Sequence, residues 1–198
     1  METLGKIIVI GSGNWGTALA KIFSENNKVY LWTIDQKEAD KINKKHESPF
    51  LPNIKLPENI IVEAKFSRQV ESNDVVVIAI PSRFIESLTD EFTANKITNC
   101  IIVNASKGVE HTTLKTVWET MMNKIPTLKF ANLSGPTIAR EIAEDIPAKA
   151  ILAARDVALL FQLQQKLENN LLCRYSCSFS WRLWTFIFSS TSSTNLYN

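Results

Sequence analysis

Three glycines, Gly11, Gly13 and Gly16, stand at the spacing Gly-x-Gly-x-x-Gly near the start of the chain. This spacing is typical of turns that bind the pyrophosphate of a dinucleotide. The first glycine permits a tight turn, the second lets a phosphate approach the backbone, and the third lets a helix pack closely against the preceding strand. The spacing alone is weak evidence, because glycine-rich turns also occur in loops that bind nothing.

The residues around these glycines predict the strand and the helix that a phosphate-binding turn requires. Ile7–Ile10 is a continuous β-branched run, which is typical of a strand buried on both faces of a parallel sheet. After Asn14, apolar residues recur at helical spacing, and they are Ala18, Leu19, Ile22 and Phe23. Free backbone N–H groups at the start of this helix would point at an anion above the turn. The three glycines are therefore predicted to bind a dinucleotide.

A second predicted strand, residues 28–32, ends close to Asp35, about 20 residues beyond the turn, where an acidic residue binds the adenosine ribose in such folds. Asp35 could instead be the N-cap of a helix predicted over residues 36–45. Both interpretations stay open. This strand end has no arginine, and only Lys37 could pair with a 2′-phosphate, so NAD and NADP both remain candidate cofactors.

Composition and charge exclude several classes of function. The 198 residues suffice for one large domain, or for one domain and part of another, and the net charge of +2 does not argue for nucleic acid. The two histidines, His46 and His111, and the three cysteines, Cys100, Cys173 and Cys177, lack metal-ligand spacing, so no metal site is expected.

The same features predict a cytoplasmic protein. The three cysteines form no disulfide framework, which favours a reducing compartment. The chain runs almost directly into its first strand, which leaves no room for a secretory leader. No apolar run approaches the roughly 20 residues that cross a bilayer, so no membrane span is expected.

Predicted strands and helices alternate along the chain. Further strands are predicted over residues 60–62, 74–80, 99–104, 128–133 and 149–154. Helices are predicted over residues 83–94, 138–143 and 156–168, and around inward-facing Leu114, Val117, Trp118 and Met121. This alternation predicts an α/β fold, a Rossmann-like, doubly wound and mostly parallel sheet. Ligands bind such sheets at the carboxyl ends of the strands.

Lys107 follows one of these predicted strands and precedes Gly108. At that place a lysine could project its ammonium group towards a bound anion. From spacing alone, a solvated surface lysine is the commoner interpretation.

Taken together, the motifs resemble those of bacterial NAD(P)-dependent glycerol-3-phosphate dehydrogenase. The matching segments occur in the right order, and they are residues 11–20, 31–32, 50–52, 79–82, 106–108 and 133–139. The resemblance covers residues 1 to about 171. In that family, reduced nicotinamide delivers a hydride to dihydroxyacetone phosphate, which gives sn-glycerol 3-phosphate for phospholipid synthesis.

The resemblance implies roles for particular residues. Besides the three glycines, the implied cofactor contacts are Asn14, Trp15, Ile34, Lys107 and Ala139. The implied substrate contacts are Lys107, Gly135 and Thr137. Beside a phosphorylated ketone, the Lys107 ammonium would have both a charge partner and a developing oxyanion to stabilise, which reverses the surface interpretation. Ile34 stands where the family usually has a polar or basic residue. The implied partner is the small-molecule substrate, and a homodimer is expected of the full-length family.

The resemblance also predicts how the chain divides. Residues 1–170 would be the dinucleotide-binding domain, and residues 171–198 an atypical tail. The family continues into an all-helical domain that holds the proton-donating lysine, so no catalytic residue is expected in this sequence. Between Asn169 and Asn198 there is no acidic residue and no lysine. We interpret this change as a shifted reading frame, with a native interaction segment or a short membrane anchor as alternatives.

Two functional hypotheses follow. The first is a glycerol-3-phosphate dehydrogenase limited to its nucleotide-binding half and inactive alone. The second is a non-catalytic dinucleotide-binding module or subunit that borrows its active site from a partner chain. A related β-hydroxyacid or sugar-acid dehydrogenase is a minor third, because it does not account for the motifs around Lys107 and Gly135.

Overall fold

The computed structural model describes residues 4–64, 69–109, 114–167 and 172–178, and an eight-stranded sheet runs through them. The strands are β1 Ile7–Ile10, β2 Val29–Thr33, β3 Ile60–Ala64, β4 Val75–Ile78, β5 Ile101–Asn104, β6 Lys129–Ser134, β7 Ala148–Ala154 and β8 Leu172–Ser178. The helices are α1 Asn14–Phe23, α2 Gln36–Lys45, α3 Ile85–Ala94, α4 Val117–Lys124, α5 Ala139–Ala143 and α6 Val157–Leu167.

The strand order is β3-β2-β1-β4-β5-β6-β7-β8, and each neighbouring pair is parallel except β6 and β7. The chain builds outward from β1 in one direction through β2 and β3, and then returns to place β4 on the other side of β1. This reversal creates a crevice at the carboxyl ends of β1 and β4. The predicted doubly wound, mostly parallel fold is confirmed.

The β-branched residues of β1 alternate between two buried layers, one on each face of the sheet. Ile7 and Val9 pack with the apolar residues of α1, α2, α5 and α6. Ile8 and Ile10 pack with those of α3 and α4. A strand covered on both faces requires side chains that are all apolar, which is why these central strands show no polar alternation.

The prediction for the start of α4 was wrong. Leu114 does not face inward: it is 72% exposed and has a φ of +56°. The helix begins only at Val117, because Thr116 caps it. The Thr116 hydroxyl accepts from the Glu119 backbone N–H at 3.2 Å, and the Glu119 carboxylate accepts from the Thr116 backbone N–H at 2.9 Å. The reciprocal cap fixes the boundary three residues later than apolar spacing suggested.

The sheet extends beyond residue 170, and the division of the chain into a domain and a tail at that residue stays a prediction. In β8, Leu172–Ser178 pairs in parallel with the whole of β7. Residues 179–198, which include the aromatic segment 181–188 and the serine and threonine run 189–194, lie outside the described residues. Within the described part of the chain, no helix combines the length and apolarity that crossing a membrane requires.

A buried ion pair joins the amino ends of β1 and β4. Asp74, which directly precedes β4, accepts from the Lys6 ammonium at 2.7 Å, and its side chain is 3% exposed. The same carboxylate accepts from the backbone N–H groups of Lys6 at 3.1 Å and Glu71 at 2.8 Å. This junction lies at the edge of the sheet opposite to the crevice.

Candidate functional site

The turn after β1 needs glycine at its first position because of the backbone conformation. Gly11 has a φ of +109°, and a Cβ there would lie 2.6 Å from the carbonyl oxygen of Ala79. Its N–H donates to the carbonyl oxygen of Trp32 at 3.0 Å, which ties the turn to the end of β2. The chain can therefore reverse immediately after β1.

The third glycine allows α1 to pack against this turn. A Cβ on Gly16 would lie 1.8 Å from the carbonyl oxygen of Gly11, a distance that no real contact reaches. The Thr17 hydroxyl donates to the carbonyl oxygen of Ser12 at 2.8 Å, which fixes the turn further. Gly11 and Gly16 are thus explained by the packing of the chain itself.

Gly13 is different, because no contact in the described chain requires it. Its φ is −65°, which any residue can adopt, and a Cβ there would meet nothing within 4 Å among the described residues. Gly13 is the N-cap of α1, so the first free N–H groups of that helix face the same open space. Space, unpaired N–H groups and a helix dipole together favour an anion that approaches the backbone closely.

Trp15 connects the glycine turn to the segment after β5. Its indole Nε1–H donates to the carbonyl oxygen of Ala105 at 2.9 Å. The Lys107 ammonium lies 5.9 Å from the centre of the Trp15 ring, within the range of a cation–π contact. The predicted cofactor residues Asn14, which is exposed at the helix start, Trp15 and Lys107 therefore lie on one side of the crevice.

Lys107 also reaches the turn after β6. Its ammonium donates to the carbonyl oxygen of Thr137 at 3.4 Å, although the lysine as a whole is exposed. Gly135 lies in the same turn, and a Cβ there would lie 2.5 Å from the carbonyl oxygen of Lys149. Ala139 begins α5 two residues after Thr137. The structure thus places Lys107 against Thr137, with Gly135 and Ala139 two residues to either side of Thr137 in the chain, and their roles toward cofactor and substrate stay predictions.

The predicted residues at the end of β2 lie on the other side of the glycine turn. Asp35 is the N-cap of α2, and its Oδ1 accepts from the Lys37 backbone N–H at 2.8 Å. The capping interpretation is confirmed, and ribose binding stays a prediction. Ile34 projects into solvent and is 95% exposed.

Sequence reasoning missed an amide pair below the Lys107 segment. The side-chain amide of Asn104 donates to the Asn132 side-chain oxygen at 3.0 Å, and its own oxygen accepts from the Ser106 backbone N–H at 3.1 Å. The two asparagines are register partners in β5 and β6 but lie 28 residues apart in sequence. The detectable signal was an asparagine near the end of each of two adjacent predicted strands.

Replacing Asn104 with leucine is expected to destabilise the chain by about 1–3 kcal/mol, because the Ser106 N–H and the Asn132 amide lose buried partners. Asn104→Asp keeps the acceptor for Ser106, and the Asn132 amide can rotate to donate, so the loss should be smaller. Urea unfolding followed by circular dichroism measures both variants. Equal losses would contradict the role of this hydrogen-bond pair.

Comparison with known proteins gives the family. A family model described as NAD-dependent glycerol-3-phosphate dehydrogenase N-terminus matches residues 6–160. A glycerol-3-phosphate dehydrogenase [NAD(P)+] of Fusobacterium nucleatum subsp. nucleatum is 39% identical over 171 residues, which are 83% of this chain and 50% of that protein. The enzyme of the same name from Enterococcus faecalis is 32% identical over 83% of this chain and 50% of that protein. The chain thus spans about half the length of these curated relatives.

Solved structures agree on the fold. A crystal structure of glycerol-3-phosphate dehydrogenase from Coxiella burnetii has a TM-score of 0.80 at 23% identity, with 88% of this chain and 54% of that chain covered. The Plasmodium falciparum enzyme has a TM-score of 0.78 at 22% identity, and the match covers 89% of this chain and 53% of that chain. With its family-model match over residues 6–160, this chain belongs to the NAD(P)-dependent glycerol-3-phosphate dehydrogenase family and carries its N-terminal, dinucleotide-binding domain.

Proposed function

We propose that this chain is the cofactor-binding half of a glycerol-3-phosphate dehydrogenase, an enzyme that transfers a hydride between NAD(P)H and dihydroxyacetone phosphate. The observation that carries the proposal is the glycine at position 13. No described neighbour requires a glycine there, and the free N–H groups of α1 face the open space above it. A ligand that approaches the backbone closely explains this choice of residue.

The residues around Gly13 fit a dinucleotide. The backbone from Gly11 to Gly16 would hold the pyrophosphate, with Asn14 and Trp15 beside it at the start of α1. When bound, the nicotinamide supplies or accepts the hydride. By family resemblance Ala139 would lie on the nicotinamide side, where α5 begins next to the Lys107 contact.

Lys107 is the proposed anion-binding group for the substrate. Its ammonium is oriented by the Thr137 carbonyl oxygen and by the face of Trp15, but it stays exposed enough to reach a ligand. A cation held in this position can pair with a phosphorylated substrate and stabilise negative charge that develops on the ketone oxygen. Gly135 and Thr137 would form the wall of the same subsite.

We also propose that turnover needs the helical half of the family. By resemblance the proton-donating lysine belongs to that half, which lies outside the family match to residues 6–160. Positioned proton transfer contributes about 10²–10⁴-fold to a rate. A cytoplasmic location belongs to the same proposal. The homodimer expected of the full-length family and its role in phospholipid synthesis belong to the same proposal.

Calorimetric titration of the full 198-residue chain with NADH and NADPH tests the binding proposal, and a steady-state assay with dihydroxyacetone phosphate tests the turnover proposal. We expect saturable binding of at least one dinucleotide, and turnover near the limit of detection. Absence of binding by both dinucleotides would overturn the proposed function. Ordinary turnover by this chain would leave binding in place and overturn the need for the helical half.

A further inference from the structure

We propose that this chain selects NADH over NADPH, and that Ile34 and Asp35, at the carboxyl end of β2, determine the choice. The inference rests on the proposed dinucleotide binding and names the cofactor that the site takes. NADPH differs from NADH only by a phosphate on the adenosine 2′-hydroxyl. The question is therefore what the chain presents to that position.

The register of the sheet places these two residues beside the glycine turn. Ile10 of β1 is the register partner of Trp32 in β2, and the Gly11 N–H donates to the Trp32 carbonyl oxygen at 3.0 Å. The residues that follow Thr33 therefore emerge at the edge where the pyrophosphate would be held. In folds of this type the adenosine ribose reaches the end of the second strand.

Ile34 offers a 2′-phosphate no electrostatic partner. Its side chain is 95% exposed and apolar, while the preceding Thr33 is buried. Recognition of a 2′-phosphate generally uses a cation, most often an arginine that can bind two phosphate oxygens at once. An exposed isoleucine can cover a ribose or an adenine, but it cannot compensate the charge of a phosphate.

Asp35 adds a fixed negative charge at the same place. The Lys37 backbone N–H donates to its Oδ1 at 2.8 Å, and its own N–H donates to the Thr33 hydroxyl at 3.3 Å, so the residue is held at the start of α2. A helix N-terminus would otherwise attract a phosphate. Here a carboxylate of the chain already occupies it, and Glu38 adds a second acid in the first turn.

Capping and ribose binding are compatible, although the sequence presents them as alternatives. A carboxylate offers about four lone-pair positions on two oxygens, and the cap uses one of them on Oδ1. Oδ2 can therefore accept from a ribose hydroxyl while Oδ1 caps the helix. The cap also orients the carboxylate in advance, which lowers the entropy lost on binding.

Lys37 is the cation that could counter this arrangement. It is exposed in the first turn of α2, two residues after Asp35. Pairing with a phosphate would draw its long side chain over the capping carboxylate. A lysine at an exposed position loses side-chain entropy on such pairing and gains little from it. We therefore assign the selection to Ile34 and Asp35, and Lys37 provides a test of that assignment.

Calorimetric titration of the full chain with each dinucleotide tests the inference. We expect NADH to bind at least about tenfold more tightly than NADPH, because like charges placed together are strongly unfavourable. Asp35→Asn keeps an equally good N-cap and removes the charge, so NADPH should gain affinity and NADH should lose it. Ile34→Arg should strengthen NADPH binding more than it changes NADH binding, so the dissociation constant for NADPH divided by that for NADH should fall by roughly tenfold or more. Lys37→Ala should leave the ratio of the two dissociation constants unchanged.

The outcomes separate this inference from the proposed function. Equal binding of the two dinucleotides by the wild-type chain, or tighter binding of NADPH, would overturn the selection and leave dinucleotide binding standing. Binding of neither would overturn the proposed function itself. An Asp35→Asn variant that unfolds at the wild-type urea concentration but keeps the wild-type ratio would overturn the role of Asp35. If Lys37→Ala raises the dissociation constant for NADPH relative to that for NADH, Lys37 pairs with the 2′-phosphate, and the assignment to Ile34 and Asp35 is overturned.

Discussion

Replacing Gly13 with aspartate is expected to abolish dinucleotide binding, by at least about 100-fold in the dissociation constant, because a fixed carboxylate would face the pyrophosphate. The fold should tolerate the change. The φ and ψ of Gly13, −65° and −177°, are those of an ordinary N-cap, and a Cβ there meets nothing within 4 Å among the described residues. Aspartate is a preferred N-cap, so the stability of α1 should stay the same or rise.

Gly13→Asn is the matched control, because asparagine has nearly the same shape and capping ability without the charge. It should weaken binding less than Gly13→Asp, and the difference between the two measures the charge repulsion. Titration calorimetry with NADH gives the affinities, and urea unfolding of each variant gives the stabilities. Wild-type affinity in Gly13→Asp would show that the space above the turn is not the phosphate site.

The glycine turn was predictable because its physics is local. Within 20 consecutive residues lie a β-branched strand, a turn with three glycines and an amphipathic helix. The local sequence pattern of each segment indicates its conformation. The sequence motif also assigns the three glycines different roles. The neighbours of Gly11 and Gly16 in three dimensions support the packing role of these two, and Gly13, which no described neighbour requires, is left to be explained by a ligand.

Other features depend on contacts between distant segments and were not predictable. Asn104 and Asn132 meet only because β5 and β6 are adjacent and in register. The reversed direction of β7 likewise follows from how the chain returns after α5, and no residue pattern within β7 encodes it. The prediction that Leu114 faces inward was wrong for a local reason and not because of a distant contact. The local cap at Thr116 overrode an apolar periodicity that extended too far.

The carboxyl ends of the strands therefore offer groups for ligand binding, whereas the amino ends hold an ion pair that stabilises the fold. At the carboxyl edge, residues such as Gly13 and Ile34 leave space and side chains exposed that the described chain does not use for its own packing. At the amino edge, Asp74 and Lys6 form an ion pair within the chain. Substitutions at Gly13 and Ile34 should change binding with little change in stability, and substitution of Asp74 should do the reverse.

Asp74→Ala is accordingly expected to destabilise the chain strongly without weakening dinucleotide binding by the folded protein. The substitution leaves the Lys6 ammonium, which is 21% exposed, and two backbone N–H groups without their acceptor. Removing one partner of a buried pair costs roughly 3–5 kcal/mol. Since water reaches the partly exposed Lys6 ammonium, we expect a loss near the lower end of that range. Folded domains are stable by only about 5–15 kcal/mol, so this loss is a large part of the total.

A second ion pair of the same length provides the control. Lys55 and Glu47 are also 2.7 Å apart, but their side chains are 74% and 47% exposed. Exposed pairs contribute little, since water and salt screen them, so Lys55→Met should unfold at nearly the wild-type urea concentration. NADH titration below the unfolding transition should give wild-type affinity for both variants. Equal losses of stability would mean that burial does not determine the strength of the Asp74 pair, and a loss of affinity in Asp74→Ala would mean that the two edges are coupled.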